Sequence, residues 1–230
     1  MSEKQENFTL LNGRVTMKRS IYNPTSDAVW LAAFIPTNTT IKTVLDVGVG
    51  SGGVSLCLMN HLPDAEVTGI DTSDDMLEIC QENAELNNRK IKLFNQDILK
   101  WFTTERFDLV VTNPPYFWGT PAKHNAHHNT DLRGWIKRAS ARVTPKGYFC
   151  TIVDANCFDQ VVSCLHDKGF GEIQILPLFS NKPTAERVLV RARSCCHTGA
   201  IFHRGLDMNN EAILRDGLTI DALLSTLDKK

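Results

Sequence analysis

No stretch of this sequence approaches the roughly 18 uninterrupted apolar residues that a membrane-spanning helix requires, so an integral helical membrane protein is excluded. The first residues, Met1-Ser2-Glu3-Lys4-Gln5-Glu6-Asn7, are polar and read as no targeting segment, which makes the cytoplasm the expected location. Paired cysteines are also missing. The seven cysteines are an odd number and form no C-x-x-C framework, so most are expected as reduced core residues. The neighbours Cys195 and Cys196 cannot bridge each other without strain. An excess of either charge is missing too: 25 Lys and Arg against 26 Asp and Glu leave a formal net charge of −1, which excludes the uniformly basic surface of an indiscriminate nucleic-acid binder but not a local patch. There is no internal repeat and no low-complexity segment. No Ser-His-Asp or Cys-His order stands out, so covalent catalysis is not expected.

What is present is 230 residues with 42% hydrophobic content, enough for one sizeable core and too little for a comfortable second domain. Asn12-Gly13 between short extended runs predicts an N-terminal hairpin. Asn23 to Asp27 cap a helix running over Ala28 to Ile35, apolar nearly all round and stopped by Pro36. From Thr43 strands and helices alternate: strand 43–47, helix 51–60, strand 66–70, helix 73–87, strand 91–94 and strand 107–112. A helix carrying Leu132, Trp135, Ile136, Ala139 and Val143 on one face comes next, followed by strand 147–153 and a helix striped by Phe158, Val161, Val162 and Leu165. Two last strands, near 172–179 and 185–192, are too close in sequence for an intervening helix and should pair as an antiparallel hairpin. The fold class is therefore α/β: a seven-stranded, mostly parallel sheet with an antiparallel edge hairpin and helices on both faces, of the Rossmann-like methyltransferase type by analogy. The expected organisation is a hairpin and helix extension over 1–40, the Rossmann-like domain over 41–195, and a C-terminal extension over 196–230.

Two motifs carry the chemistry. The turn Asp46-Val-Gly48-Val-Gly50-Ser-Gly52-Gly53 ends the first core strand; its glycines allow a tight turn into a helix and close approach of a ligand to the backbone. Asp71 ends the next strand, where an acid can grip ribose hydroxyls, and Asp97 follows the third, where it can meet an adenine amino group. Each has a plainer reading: Asp46 as a turn acceptor, Asp71 and Asp97 as helix caps. Gly48, Gly50 and Gly53 also satisfy G-x-G-x-x-G, so an NAD-dependent oxidoreductase is a rival. The second motif, Asn113-Pro114-Pro115-Tyr116, follows an apolar strand. Two prolines can neither continue a ladder nor start a helix at once, so the Asn113 side-chain oxygen and the Pro114 carbonyl are left to accept from an NH₂ group while Tyr116 stacks on its ring. In company with the acidic glycine turn this set fits S-adenosyl-L-methionine and direct methyl transfer to a conjugated amine.

Residues 117–130 read as a long loop over the pocket mouth, and His124, His127 and His128 in it, with Asp131 nearby, match no standard zinc spacing, so no metal is expected. Lys18, Arg19, Lys182, Arg187, Arg191 and Arg193 are the candidates for a local basic patch, or else one solvated sheet face.

The chain resembles the bacterial tRNA adenine-N6 methyltransferases that act on adenine 37 of a valine tRNA, through Tyr22 to Ala33, Asp46 to Gly52, Gly69 to Asp71, Phe107 to Tyr116, Arg187 to Arg191 and Asn210 to Gly217. The resemblance implies S-adenosyl-L-methionine as cofactor, held by Asp46, Gly48, Gly50, Gly52, Asp71, Asp97 and Asn113. It implies Asn113, Pro114 and Tyr116 at the reacting amine, with Pro115, Tyr116, Phe117, Arg187 and Arg191 against a tRNA substrate. Related enzymes modify ribosomal guanine, DNA adenine or a release-factor glutamine. The short segment before Asp46 and the lack of a long target-recognition region favour RNA. A non-catalytic RNA-binding protein on the same fold is a further alternative.

Overall fold

A computed structural model of the chain describes residues 7–20, 22–115 and 131–227. Two compact units emerge, one of residues 1–97 with 210–230 and one of residues 98–209.

In the first unit, β1 (Asn7–Leu10) and β2 (Val15–Lys18) form the expected antiparallel hairpin, in register from Asn7 opposite Lys18 to Leu10 opposite Val15. Leu11 and Asn12, each at φ 52°, and Gly13 at φ 85° reverse the chain through left-handed backbone. Helix α1 (Ser26–Ala33) is capped by Thr25, whose hydroxyl accepts from the Asp27 N–H at 3.3 Å. Its residues from Asp27 onward are all buried, as an all-round apolar sequence requires. The helix ends two residues before the expected Ile35. The residue before a proline avoids the α region, and Phe34 instead closes the last turn by donating to the Leu31 carbonyl at 3.1 Å.

The strands β3 (Thr43–Val47), β4 (Glu66–Asp71) and β5 (Ile91–Asn95) are parallel and adjacent in that order. Helix α2 (Gly53–Leu58) joins the first two and α3 (Asp74–Leu86) the last two. Ser73 caps α3 by accepting from the Met76 N–H at 3.3 Å. One turn apart, Asn83 on α3 and Asn87 at its C-terminal cap reach the main chain of β2: Asn87 accepts from Thr16 N–H at 2.8 Å and donates to its carbonyl at 2.7 Å, while Asn83 accepts from Lys18 N–H at 2.7 Å.

In the second unit, β6 (Phe107–Thr112) runs parallel to β7 (Val143–Asp154), with α4 (Leu132–Ser140) between them in sequence. Helical spacing assigns Val143 to α4, but the helix stops at Ser140. Val143 instead opens β7 opposite Phe107, whose N–H donates to the Arg142 carbonyl at 2.8 Å. The strand therefore begins four residues earlier than expected, passing a register shift at Lys146 (φ 66°) and Gly147, where a Cβ would stand 2.7 Å from the Asp108 carbonyl. After α5 (Phe158–Asp167) come β8 (Phe170–Phe179) and β9 (Arg187–Ser194). The latter lies antiparallel between β7 and β8, as the short connection requires. The strands β3 to β9 are the seven expected. Two further short ones, β10 (Ile201–Phe202) and β11 (Leu206–Asp207), add parallel to β8.

The chain closes with α6 (Glu211–Leu214) and α7 (Ile220–Leu227) in the first unit, where Arg14 donates to the Asp216 carbonyl at 2.6 Å. Among the described residues no helix is long and apolar enough to cross a membrane.

Candidate active site

The turn after β3 is built by its glycines. Gly48, Gly50 and Gly52 stand at φ 75°, 52° and 88°, conformations that side chains rarely adopt, so α2 begins at Gly53 and not at Ser51. Two of the glycines also answer to packing: a Cβ on Gly52 would come within 2.8 Å of Cys80 Sγ, and one on Gly53 within 2.5 Å of Pro24. Gly50 differs. Nothing lies within 4 Å of where its Cβ would be, so open space faces the loop there.

Two carboxylates organise this turn. Asp71 accepts from the Gly50 N–H at 2.9 Å through one oxygen and from the Ser73 N–H at 3.0 Å through the other, tying the glycine turn of β3 to the start of α3. Asp46 is buried beneath the loop. One oxygen accepts from the Ser55 hydroxyl at 2.7 Å, and Oδ1 has no hydrogen-bond partner. Burial, opposed by the Ser55 hydroxyl and reinforced by the Asp71 charge, pushes the Asp46 carboxyl up to about 7. Burial likewise drives the Cys80 thiol up to about 12, leaving a neutral wall against the loop. Asn83 completes the support by donating to the Ser51 carbonyl at 2.9 Å. Ser55 and Asn83 escaped the sequence reading, because each lies inside a helix whose pattern reads only as amphipathic.

Asp97 is half-buried two residues after β5, and a turn at 98–100 follows it. No helix begins there, so the helix-cap reading of Asp97 is withdrawn. The Gln96 N–H donates to the Asp71 carbonyl at 2.9 Å, which brings this segment to the end of β4.

In the second unit, β6 ends at Thr112 and the chain leaves the sheet through Asn113-Pro114-Pro115, as the two prolines require. Pro114 is buried, and Asn113 and Pro115 are half-buried. No hydrogen bond engages the Asn113 amide among the described residues. Trp135 on α4 donates its indole N–H to Thr112 Oγ1 at 3.0 Å, clamping the residue before Asn113. Sequence spacing shows Trp135 only as part of an apolar face. Tyr116, Phe117 and the three loop histidines lie outside the described residues. Asp131 is described, as the cap of α4, accepting from the Gly134 N–H at 2.9 Å. Among the described residues no cluster of metal-ligating side chains occurs.

The arginines of β9 do not form the outward face that alternation predicts. Arg187 lies 3.5 Å from Asp154, and Arg193 3.4 Å from Glu172 with its guanidinium over the Tyr148 ring. Arg191 is only 5% exposed and donates to Gln174 Oε1 at 2.8 Å. That oxygen also bonds His203 Nε2 at 3.0 Å, on the segment after β10. A buried guanidinium held this way is a structural group, which removes Arg191 as a phosphate contact.

The family model for the methyltransferase small domain matches residues 27–176, which takes in both motifs. The chain belongs to that family. Among the curated relatives of this family member, the tRNA1(Val) (adenine(37)-N6)-methyltransferase of Proteus mirabilis is 32% identical over 65% of this chain and 64% of its own length. The release factor glutamine methyltransferase of Geobacter sulfurreducens is 41% identical over 32% of this chain and 26% of its own length. The chain thus covers less than two thirds of either relative. A predicted O-methyltransferase of Agrobacterium tumefaciens shares the fold at a TM-score of 0.66, with 23% identity over 80% of this chain and 88% of that one.

The cofactor of this family member is S-adenosyl-L-methionine, and the cradle fits it. An acid at the position of Asp71 suits the ribose of either cofactor, but a dinucleotide also lays a pyrophosphate on the glycine turn, where the buried Asp46 would repel it. A sulfonium cofactor meets Asp46 as a cation. The bare Asp46 oxygen and the open space at Gly50 both suit such a ligand.

Proposed function

We propose that the protein transfers a methyl group to an exocyclic adenine amine, N6, in tRNA. The observation that carries this reading is the end of β6, where a strand stops in Asn-Pro-Pro and no hydrogen bond engages the Asn113 amide among the described residues, while Trp135 bonds Thr112 just before it. The tRNA relatives support the choice of substrate.

When bound, S-adenosyl-L-methionine supplies an electrophilic methyl on a sulfonium. The chain's own residues do the rest. Asp71 offers its remaining lone pairs to the ribose hydroxyls, and Asp97 accepts from the adenine amine of the cofactor. Asp46 acts from beneath the loop: its charge, costly when buried alone, is offset by a cation above it. Asn113 through its side-chain oxygen, and Pro114 through its carbonyl, accept from the substrate NH₂ and orient its lone pair at the methyl. The same two acceptors would stabilise the positive charge that develops on the substrate nitrogen when it takes the methyl group. The nitrogen proton is acidic only after transfer and leaves to water, so no strong base is needed. The motif assigns Tyr116 to stacking on the base, and Pro115 and Phe117 are the further residues it offers to the substrate.

The deciding experiment is mass spectrometry of nucleosides from unmodified bulk tRNA incubated with the protein and S-adenosyl-L-methionine, beside an Asn113→Ala control. N6-methyladenosine produced by the wild type and lost in the control is the expected result. A methylated guanine, or methyl transfer only to a release-factor glutamine, overturns the tRNA adenine assignment.

A further inference from the structure

The segment between β5 and β6 and the end of α4 build a second polar and aromatic surface that neither motif uses. Trp101, Phe102, Thr103 and Thr104 line a hollow of about 540 Å³ together with Arg138 and Arg142. Phe102 is 85% exposed, with the Arg138 guanidinium 5.5 Å from its ring centroid. Arg142 is fixed by donating to the Thr103 carbonyl. Arg106 and Arg138 are close enough to Arg142 for their charges, after burial, to lower its pKa. No carboxylate pairs with Arg106, Arg138 or Arg142 among the described residues.

Two features of this surface need explanation. Phe102 at 85% exposure does not stand alone, because half-buried Trp101 lines the same hollow and the two rings make a grouped apolar surface. Three guanidiniums gathered with no counter-charge among the described residues repel one another, and the arrangement is relieved by an anion. Nucleic acid supplies both complements: a phosphate for the arginines and a flat base for the rings.

We propose that Phe102, Trp101, Arg106, Arg138 and Arg142 form a contact surface for the RNA flanking the modified nucleotide. This rests on the tRNA reading above and names the part of the protein that grips the substrate. Because β6 rises about 3.3 Å per residue, Arg106 before it and Asn113 after it stand roughly 20 Å apart. The surface therefore tethers RNA away from the reacting amine. An unpaired base stacks on Phe102 or Trp101 while neighbouring phosphates engage the guanidiniums. Such a contact contributes to RNA affinity and leaves the chemical step alone. It also reconciles a net charge of −1 with a polyanionic substrate, since the positive charge is local.

The test compares the full-length wild type, the double variant Arg106→Glu/Arg138→Glu, and Phe102→Ala. Binding of unmodified tRNA is measured across a salt series, with methyl-transfer kinetics alongside. Calorimetric cofactor binding, expected to be unchanged, confirms that each variant is folded. The double variant should bind tRNA at least tenfold more weakly with a shallower salt dependence, each lost phosphate contact taking about 0.7–0.9 from the slope. Phe102→Ala should lose about tenfold in affinity with the slope unchanged. In both, KM for tRNA should rise while kcat at saturation holds. A wild type that methylates tRNA while the variants bind it equally well overturns the surface alone. A wild type that binds tRNA without methylating it, and loses that binding in the variants, supports the surface and overturns the adenine reading. Poly-L-glutamate bound as tightly as RNA, and equally sensitive to Phe102→Ala, would make the surface a site for acidic polypeptide and overturn the proposal.

Discussion

At the ends of β3 and β4 the carboxylates are committed inside the fold, whereas at the end of β6 the Asn113 amide is left without a bond among the described residues. Asp71 spends both oxygens on main-chain N–H groups, and Asp46 holds Ser55. The first region is a shaped cradle, so changes there should disturb stability and ligand affinity together. The second is a mount for an amide that no described residue engages, so a change at Asn113 should alter chemistry and little else.

That contrast can be broken in four ways. Asn113→Ala should lower methyl transfer by on the order of a hundredfold, with cofactor affinity and thermal midpoint held; undiminished turnover removes Asn113 from the reaction. Asp71→Ala should weaken cofactor binding by about 1–3 kcal/mol in calorimetry and also lower stability, since Gly50 and Ser73 lose their acceptor. Unchanged affinity would leave Asp71 as a turn-forming residue only.

Asp46→Asn tests the buried charge through pH. The folded pKa of Asp46, about 7, lies above its ordinary 3.8, so the folded protein binds the extra proton between these values. Its contribution to stability is therefore full below pH 3.8 and lost as pH rises through about 7. Without cofactor, wild type should lose on the order of 2 kcal/mol between pH 5 and 8 from this group, and Asp46→Asn should not. Parallel pH curves in urea unfolding would contradict the assignment. The smallest effect is expected of Trp135→Phe. It keeps the ring but loses the bond to Thr112, costing about 1 kcal/mol of stability and lowering kcat severalfold as Asn113 loosens. A variant that loses stability but keeps kcat would confine Trp135 to packing.

Much of this was legible in the sequence because the decisive signals are local. Asn12-Gly13 announces the hairpin, three glycines at left-handed φ announce the turn after β3, and two prolines announce the exit from β6. Nonlocal events were not legible. Helical spacing claims Val143 for α4 because nothing in the spacing shows that Phe107 takes it as a strand partner. Alternation sends Arg191 outward because period-2 reading treats every polar face as wet, and His203 and Gln174 enclose it only in three dimensions. The two-residue strands β10 and β11 are too short to carry any period. The trio of Arg106, Arg138 and Arg142, with no carboxylate partner among the described residues, is assembled from two stretches of sequence, and the acidic residues elsewhere conceal it in the net charge.

The asparagine pair on α3 has a consequence for how this protein behaves at high concentration. A two-stranded hairpin ordinarily offers its outer edge to any passing strand, and such edges seed polymerisation. On β2 that edge is filled: Asn87 occupies both the N–H and the carbonyl of Thr16, and Asn83 takes the N–H of Lys18. Two side chains thus impersonate a third strand that has nowhere to extend. Replacing Asn87 with alanine would free both main-chain groups of Thr16, and self-association measured by light scattering would rise with concentration.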